Sequence, residues 1–145
     1  MMLRIMTTTC AMAMMASTAA ADYTLHIIHT NDLHSRIEPI NRFDSTCNAE
    51  DNAAGECFGG IARVITKINE LREELAGENV LLLDAGDQYQ GSLMYTTYKG
   101  DVEAEFMEQI GFDVKTDGNH EFYDRDEPLR KLTDAVSFPV ISGNI

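Results

Sequence analysis

The sequence predicts an α/β fold, mainly parallel strands with flanking helices, on three observations. Strand-like apolar runs alternate with segments of helical period, the signature of a parallel sheet covered by helices. One run, Val80-Leu81-Leu82-Leu83, is continuously apolar, the pattern of a strand covered on both faces. Three runs also end in polar clusters, and open α/β sheets bind ligands beyond the carboxyl ends of their strands.

The elements follow in order. Residues 23–30 read as a buried strand with Leu25, Ile27 and Ile28 as its body. Residues 35–57 carry Pro39, Asn41, Asp44, Ser45, Asn48, Asn52 and Gly55 with no period, and read as irregular. Ile61, Val64, Ile65, Ile68, Leu71 and Leu75 then form one helical stripe, opened by Gly59-Gly60 and closed by Gly77. Its Glu70, Glu73 and Glu74 form a solvated face. The strand at 80–83 is followed by a loop reaching Gly100 and a short helix capped by Asp101 and Gly111. Residues 113–116 form a weak strand, a helix runs around 128–135, and 139–142 make a last strand.

The first 21 residues stand apart. Arg4 is the only charge before Asp22, residues 5–16 are Met/Ala-rich, and Ala19-Ala20-Ala21 supplies small residues for cleavage. We read residues 1–21 as a signal peptide and 22–145 as the folded part, exported to a periplasmic or extracellular space. The run is too short and polar to span a bilayer, so no integral membrane segment is expected. A lipoprotein anchored at Cys10 and a retained amphipathic anchor are the alternatives.

Removal of the leader takes Cys10 with it and leaves Cys47 and Cys57. An even pair in an exported chain reads as a disulfide, worth up to roughly 3 kcal/mol for so short a loop. The formal net charge of −13 argues against a nucleic-acid partner, which needs a basic surface. It leaves room for a phosphate-bearing small molecule, because bound cations can supply positive charge locally.

The chemistry gathers at three places. His29-Thr30-Asn31-Asp32-Leu33-His34 ends the first strand; on a continuing strand Asp32 and His34 would stand roughly 7 Å apart, so they converge only where the backbone turns. Asp84-Ala85-Gly86-Asp87-Gln88 ends the second, and Asp117-Gly118-Asn119-His120-Glu121-Phe122 follows the third. Oxygen and imidazole donors without thiolates suit Zn, Mn or Fe and do not distinguish them. Taken singly, each has an ordinary explanation: Asp87 as a turn former, Asn119 as a cap, either histidine as structural.

Together the three motifs resemble the N-terminal signatures of the calcineurin-like metallophosphoesterases, specifically the secreted and cell-surface 5′-nucleotidases. Asp87-Gln-Tyr-Gln-Gly-Ser92, Tyr98-Lys-Gly100 and Phe138-Pro-Val-Ile-Ser-Gly-Asn-Ile145 are similar to that family as well, so the likeness runs over residues 23–145. The resemblance implies an incomplete calcineurin-like metallophosphoesterase sandwich holding two divalent metal ions, Zn, Mn or similar. Asp32 and His34 would bind the first metal, Asp87 would bridge both, and Asn119 would offer its amide oxygen to the second. His120 would protonate or stabilise the leaving oxygen. Cys47 and Cys57 look like a disulfide pair of the family. The implied reaction is hydrolysis of a phosphate monoester, with a nucleoside 5′-monophosphate as substrate.

Two positions depart from the family's pattern. An Asp that orients the motif histidine is usual three residues after it, where this chain has Tyr123, and Asp124 comes one later. Asp124 either substitutes through a shifted turn or leaves His120 without a carboxylate. An apolar residue is usual at the place of Asp117, which would either add charge near the metals or point to solvent. The family also completes its metal sites with histidines from later strands, and its nucleotide-binding domain follows. The chain therefore reads as the N-terminal part of such an enzyme. An inactive truncated product that binds metal weakly, and a relative acting on another phosphate or sulfur ester, are the alternatives. His26 and His29 read as structural or as supports behind the metal ligands, and Arg36 as a surface loop arginine, with contact to a phosphate as its alternative. Oligomeric state and substrate-binding residues cannot be read from this sequence.

Overall fold

A computed structural model describes residues 22–143; the leader at 1–21 lies outside them. Strand β1 (His26–Thr30) opens the fold. The segment read as irregular holds a small hairpin, β2 (Ile40–Asn41) against β3 (Cys57–Phe58), with the one-turn helix α1 (Ala49–Ala53) between its strands. Asn48 caps α1 by accepting the Asp51 N–H, the usual use of Asn at a helix start. The Cys47–Cys57 disulfide closes the hairpin loop with a Cα–Cα distance of 5.8 Å. Two-residue strands give no alternation to read, which is why the hairpin escaped the sequence.

Helix α2 (Ile61–Glu74) lies where its stripe predicts, with Ile61 and Ile68 buried and Val64 and Ile65 packed on the core. Strand β4 (Val80–Asp84) follows, then α3 (Leu93–Tyr98), which shortens the predicted loop and is capped by the Ser92 side chain. Helix α4 (Asp101–Ile110) begins at the residue predicted to cap it, one place early. Gly100, at φ 100°, takes the N-cap place and Asp101 sits in the first turn, with Gly111 closing the other end. Strand β5 (Val114–Lys115), a 3-10 turn (Asn119–Phe122) and α5 (Asp126–Ala135) complete the elements.

The main sheet has three parallel strands in the order β1-β4-β5. The last predicted strand is reduced to one parallel bridge, Lys115 to Val140, with Lys115 N–H donating to Pro139 O and Ile141 N–H to Lys115 O. Pro139 brings no N–H of its own to extend it.

The two faces of this sheet differ. Ile28 and Leu82 share one face and pack with Ile61, Ile68, Met107, Ile110, Phe112, Leu132 and Phe138. Ile27 and Leu81, neighbours on the other, are exposed. The continuous apolar run at 80–83 predicted cover on both faces; among the described residues only one is covered. Burial of each Leu, Ile or Met on the covered face contributes about 1.5–3 kcal/mol, so that face holds the strands whose ends carry the polar clusters. Among the described residues no helix is long and apolar enough to cross a membrane.

Candidate functional site

Strands β1 and β4 end side by side, Thr30 opposite Asp84, and their loops remain hydrogen-bonded. Ala85 N–H donates to Thr30 O at 2.9 Å, Asp32 N–H to Gly86 O at 2.9 Å, His34 N–H to Asp87 O at 3.1 Å and Ser35 N–H to Gln88 O at 2.9 Å. The turn this requires is tight: Asp32, His34, Ser35 and Asp87 have φ of 53°, 48°, 53° and 57°. The left-handed region costs an L-residue about 1–2 kcal/mol, and such strain is found where a fold must aim side chains. Three of these four residues are predicted metal ligands.

Glycines let the β4 and β5 loops touch. A Cβ on Gly86 would lie 2.8 Å from the Asp117 carbonyl carbon, and one on Gly118 would lie 2.6 Å from Asp87 Cγ. Neither distance is sterically possible, so any other residue would push the loops apart.

The side chains then converge. Donor atoms of His34, Asp87 and His120 lie within 4.8 Å of one another, and the two imidazoles meet edge to face with centroids 4.6 Å apart. Asp32 joins from the rim, its Oδ1 3.5 Å from His34 Nε2. His34 Nδ1 faces Tyr89 O at 3.2 Å. A carbonyl can only accept, so in the tautomer with the proton on Nδ1 this contact would leave the Nε2 lone pair for a cation. The Asn31 amide, bonded to Asp32, holds that carboxyl below the usual carboxylate range, and His34 adds to the effect. Asp87 Oδ1 accepts the His120 N–H at 2.9 Å. Asn119 is exposed and donates its amide N–H to the Tyr123 hydroxyl at 2.8 Å.

Below this rim lies a buried charge block. Lys115 is fully buried, with its Nζ 3.4 Å from Asp84, 3.6 Å from Asp117 and 3.8 Å from Glu121, and it donates to Thr116 O at 2.7 Å. Glu121 accepts the N–H groups of Gln88 at 2.6 Å, Gly118 at 2.7 Å and Asp87 at 3.0 Å. One carboxylate thus ties both site loops together. Asp84 accepts from Thr30, Gln88 Nε2 and the Gly86 N–H. Burial pushes the Asp84 and Asp117 carboxyls up, against the opposing pull of Lys115. Of the two courses open to Asp117 from the sequence, pointing to solvent is not taken: its carboxyl is buried and faces Lys115.

Asp124 is not joined to His120. Its carboxylate accepts from Lys99 Nζ at 3.0 Å and Tyr95 Oη at 3.1 Å, and these bonds, Lys99's foremost, hold it below its ordinary range. His120 Nδ1 is buried without a hydrogen-bond partner among the described residues. Arg36 pairs with Asp44 at 2.9 Å, and His29 is exposed, on the same face as Ile27. Sequence reasoning passed over Glu121 and Lys115. Glu121 stands inside a quoted motif and Lys115 interrupts a strand with one charge; that charge was the available signal.

The donor set fits a divalent cation. One donor atom from each of two imidazoles and a carboxylate meet within 4.8 Å, and neutral His with carboxylate is a common transition-metal environment.

Residues 25–143 match the model of the calcineurin-like phosphoesterase family. The chain is 46% identical over 128 residues to a 5′-nucleotidase of Bos taurus, covering 88% of this chain and 21% of that protein. It is 44% identical over 133 residues to a snake venom 5′-nucleotidase of Gloydius brevicauda, covering 89% and 21%. Among solved structures, the NAD nucleotidase of Haemophilus influenzae superposes with a TM-score of 0.68 at 33% identity, over 83% of this chain and 20% of that one. The chain thus spans about a fifth of the length of these relatives.

Proposed function

The chain belongs to the calcineurin-like phosphoesterase family, and from that premise we propose that it supplies the N-terminal part of a two-metal site for phosphate monoester hydrolysis. The substrate is of the nucleoside 5′-monophosphate class, as the names of its relatives suggest. The convergence of His34, Asp87 and His120 donor atoms within 4.8 Å carries this reading.

In it, Asp32 and His34 would hold one metal, Asp87 would serve both, and Asn119 would offer its amide oxygen to the second. Two bound divalent cations would neutralise phosphate charge and make an attacking water acidic. His34 is oriented by Tyr89 O, which fixes the nitrogen it presents. Glu121 holds the backbone of Asp87 and Gly118, so the carboxylate and the Asn119–His120 turn keep a constant separation. His120, packed edge to face with His34 beside the cluster, would give the leaving oxygen its proton. Asp124 acts from a distance, by fixing Lys99 and Tyr95 beside the turn. The Cys47–Cys57 bond fits a periplasmic or extracellular location.

A second reading makes His120 itself a ligand, favoured by its place in the three-donor cluster. Titrating Mn2+ into the 145-residue chain by calorimetry separates the two. His120→Ala should keep the affinity within about threefold if His120 serves the leaving oxygen; a loss well beyond about tenfold would make it a ligand. Absence of Mn2+ binding by the unmodified chain would sink both. Because the chain spans a fifth of its relatives, it should bind metal and release no phosphate from AMP by itself.

A further inference from the structure

We propose that Tyr123 is a positioning residue of the metal site, aligning Asn119 through its hydroxyl and backing His120 with its ring. This rests on the reading of Asn119 as a ligand. Asn119 is exposed and held by no helix longer than one turn, so its amide is free to rotate unless something engages one end. Only the oxygen of an amide can bind a cation; the NH2 group has donors alone. The Tyr123 hydroxyl accepts the Asn119 Nδ2–H at 2.8 Å, which occupies the useless end and leaves the oxygen as the one the site can use.

The geometry is built from the backbone. Asn119 and Tyr123 are four residues apart across the 3-10 turn, and the Tyr123 N–H closes that turn on His120 O at 3.4 Å. The same phenol ring packs against the His120 imidazole, centroids 4.5 Å apart at 48°. No carboxylate competes for this role, since Asp124 is taken by Lys99 and Tyr95 and His120 Nδ1 is unpartnered among the described residues. At the position where a carboxylate would support the histidine, a phenol holds the neighbouring amide instead, and supports the histidine by contact alone.

The test is Mn2+ affinity, by calorimetry on the 145-residue chain, for the unmodified protein, Tyr123→Phe, Asn119→Ala and the double variant, with thermal melts alongside. Groups that orient a ligand typically account for 10- to 100-fold in affinity. Tyr123→Phe should therefore bind about 10-fold more weakly with its melting temperature unchanged, and the double variant should bind no worse than Asn119→Ala. That non-additivity is the mark of one residue acting through the other. Unchanged affinity in Tyr123→Phe while Asn119→Ala loses binding would overturn the role of Tyr123 alone, as would additive losses or a melting temperature that falls with the affinity. Unchanged affinity in Asn119→Ala would instead overturn the ligand reading beneath it.

Discussion

Asp32 and Asp84 follow neighbouring strands, yet their surroundings oppose one another. The Asp32 side chain is 54% exposed, and its carboxyl is held below the usual range by an amide and an imidazole. Asp84 is fully buried, with its carboxyl pushed up by the loss of water around it. Burial likewise separates half-buried Asp87 at the rim from Asp117 and Glu121, whose side chains lie in the floor. Floor acids face Lys115, and Glu121 also accepts backbone N–H groups, so they set the shape of the loops. Rim acids keep oxygens free because the floor does the holding for them. Acidic residues close in sequence thus divide between structure and chemistry according to which side of one backbone layer they face.

The sharpest way to break this division is to remove the floor's cation. Lys115→Met leaves three buried carboxylates without their cation and should cost about 3–5 kcal/mol, read from the urea midpoint of the 145-residue chain. A loss under about 1 kcal/mol would mean that the floor is not held by charge. The rim should respond in the opposite manner. Asp87→Ala removes one accepted N–H, worth about 1 kcal/mol of stability, while Mn2+ affinity should fall by more than about 100-fold, beyond the loss expected for a group that only orients a ligand. Equal damage to folding from Asp87→Ala and Lys115→Met would erase the distinction.

Glu103 on α4 supplies the smallest and cleanest comparison. It is buried, neither oxygen has a hydrogen-bond partner among the described residues, and the nearby Ser35 hydroxyl donates to Gln88 O instead. Burial raises its carboxyl above the ordinary value. The folded state therefore retains a proton that the unfolded chain releases, and this contribution to stability is lost as pH rises from the unfolded value through the folded one. Glu103→Gln should be close to neutral below pH 4 and stabilising by about 1–2 kcal/mol at pH 8, measured as melting temperature across pH. A flat difference would show that Glu103 has a partner after all.

Much of this arrangement was legible in the chain. The α2 stripe is a local pattern, and Ile61 and Ile68 are buried where the helical period puts them. The run before Asp84 is a strand, and the polar clusters after three strands do meet. The hairpin at β2 and β3 was hidden because two-residue strands have no period. The bridge at Val140 fell short of a strand because the tendency of its residues found one partner residue only. Asp124 stood open to two readings because the turn after Phe122 decides which way a carboxylate points, and here it points to Lys99.

The sequence by itself determined the order of the longer strands and helices, the acidity and the types of donor after each strand, because each is written in neighbouring residues, and the cysteine count named the disulfide pair. Only the tertiary structure decided which acids became floor and which became rim. That choice depends on contacts between residues far apart in the chain, such as Asp84 with Lys115 and Glu121 with Gln88. Burial inverts the behaviour of identical carboxyl groups, and no local pattern records on which side of a folded loop a side chain will lie.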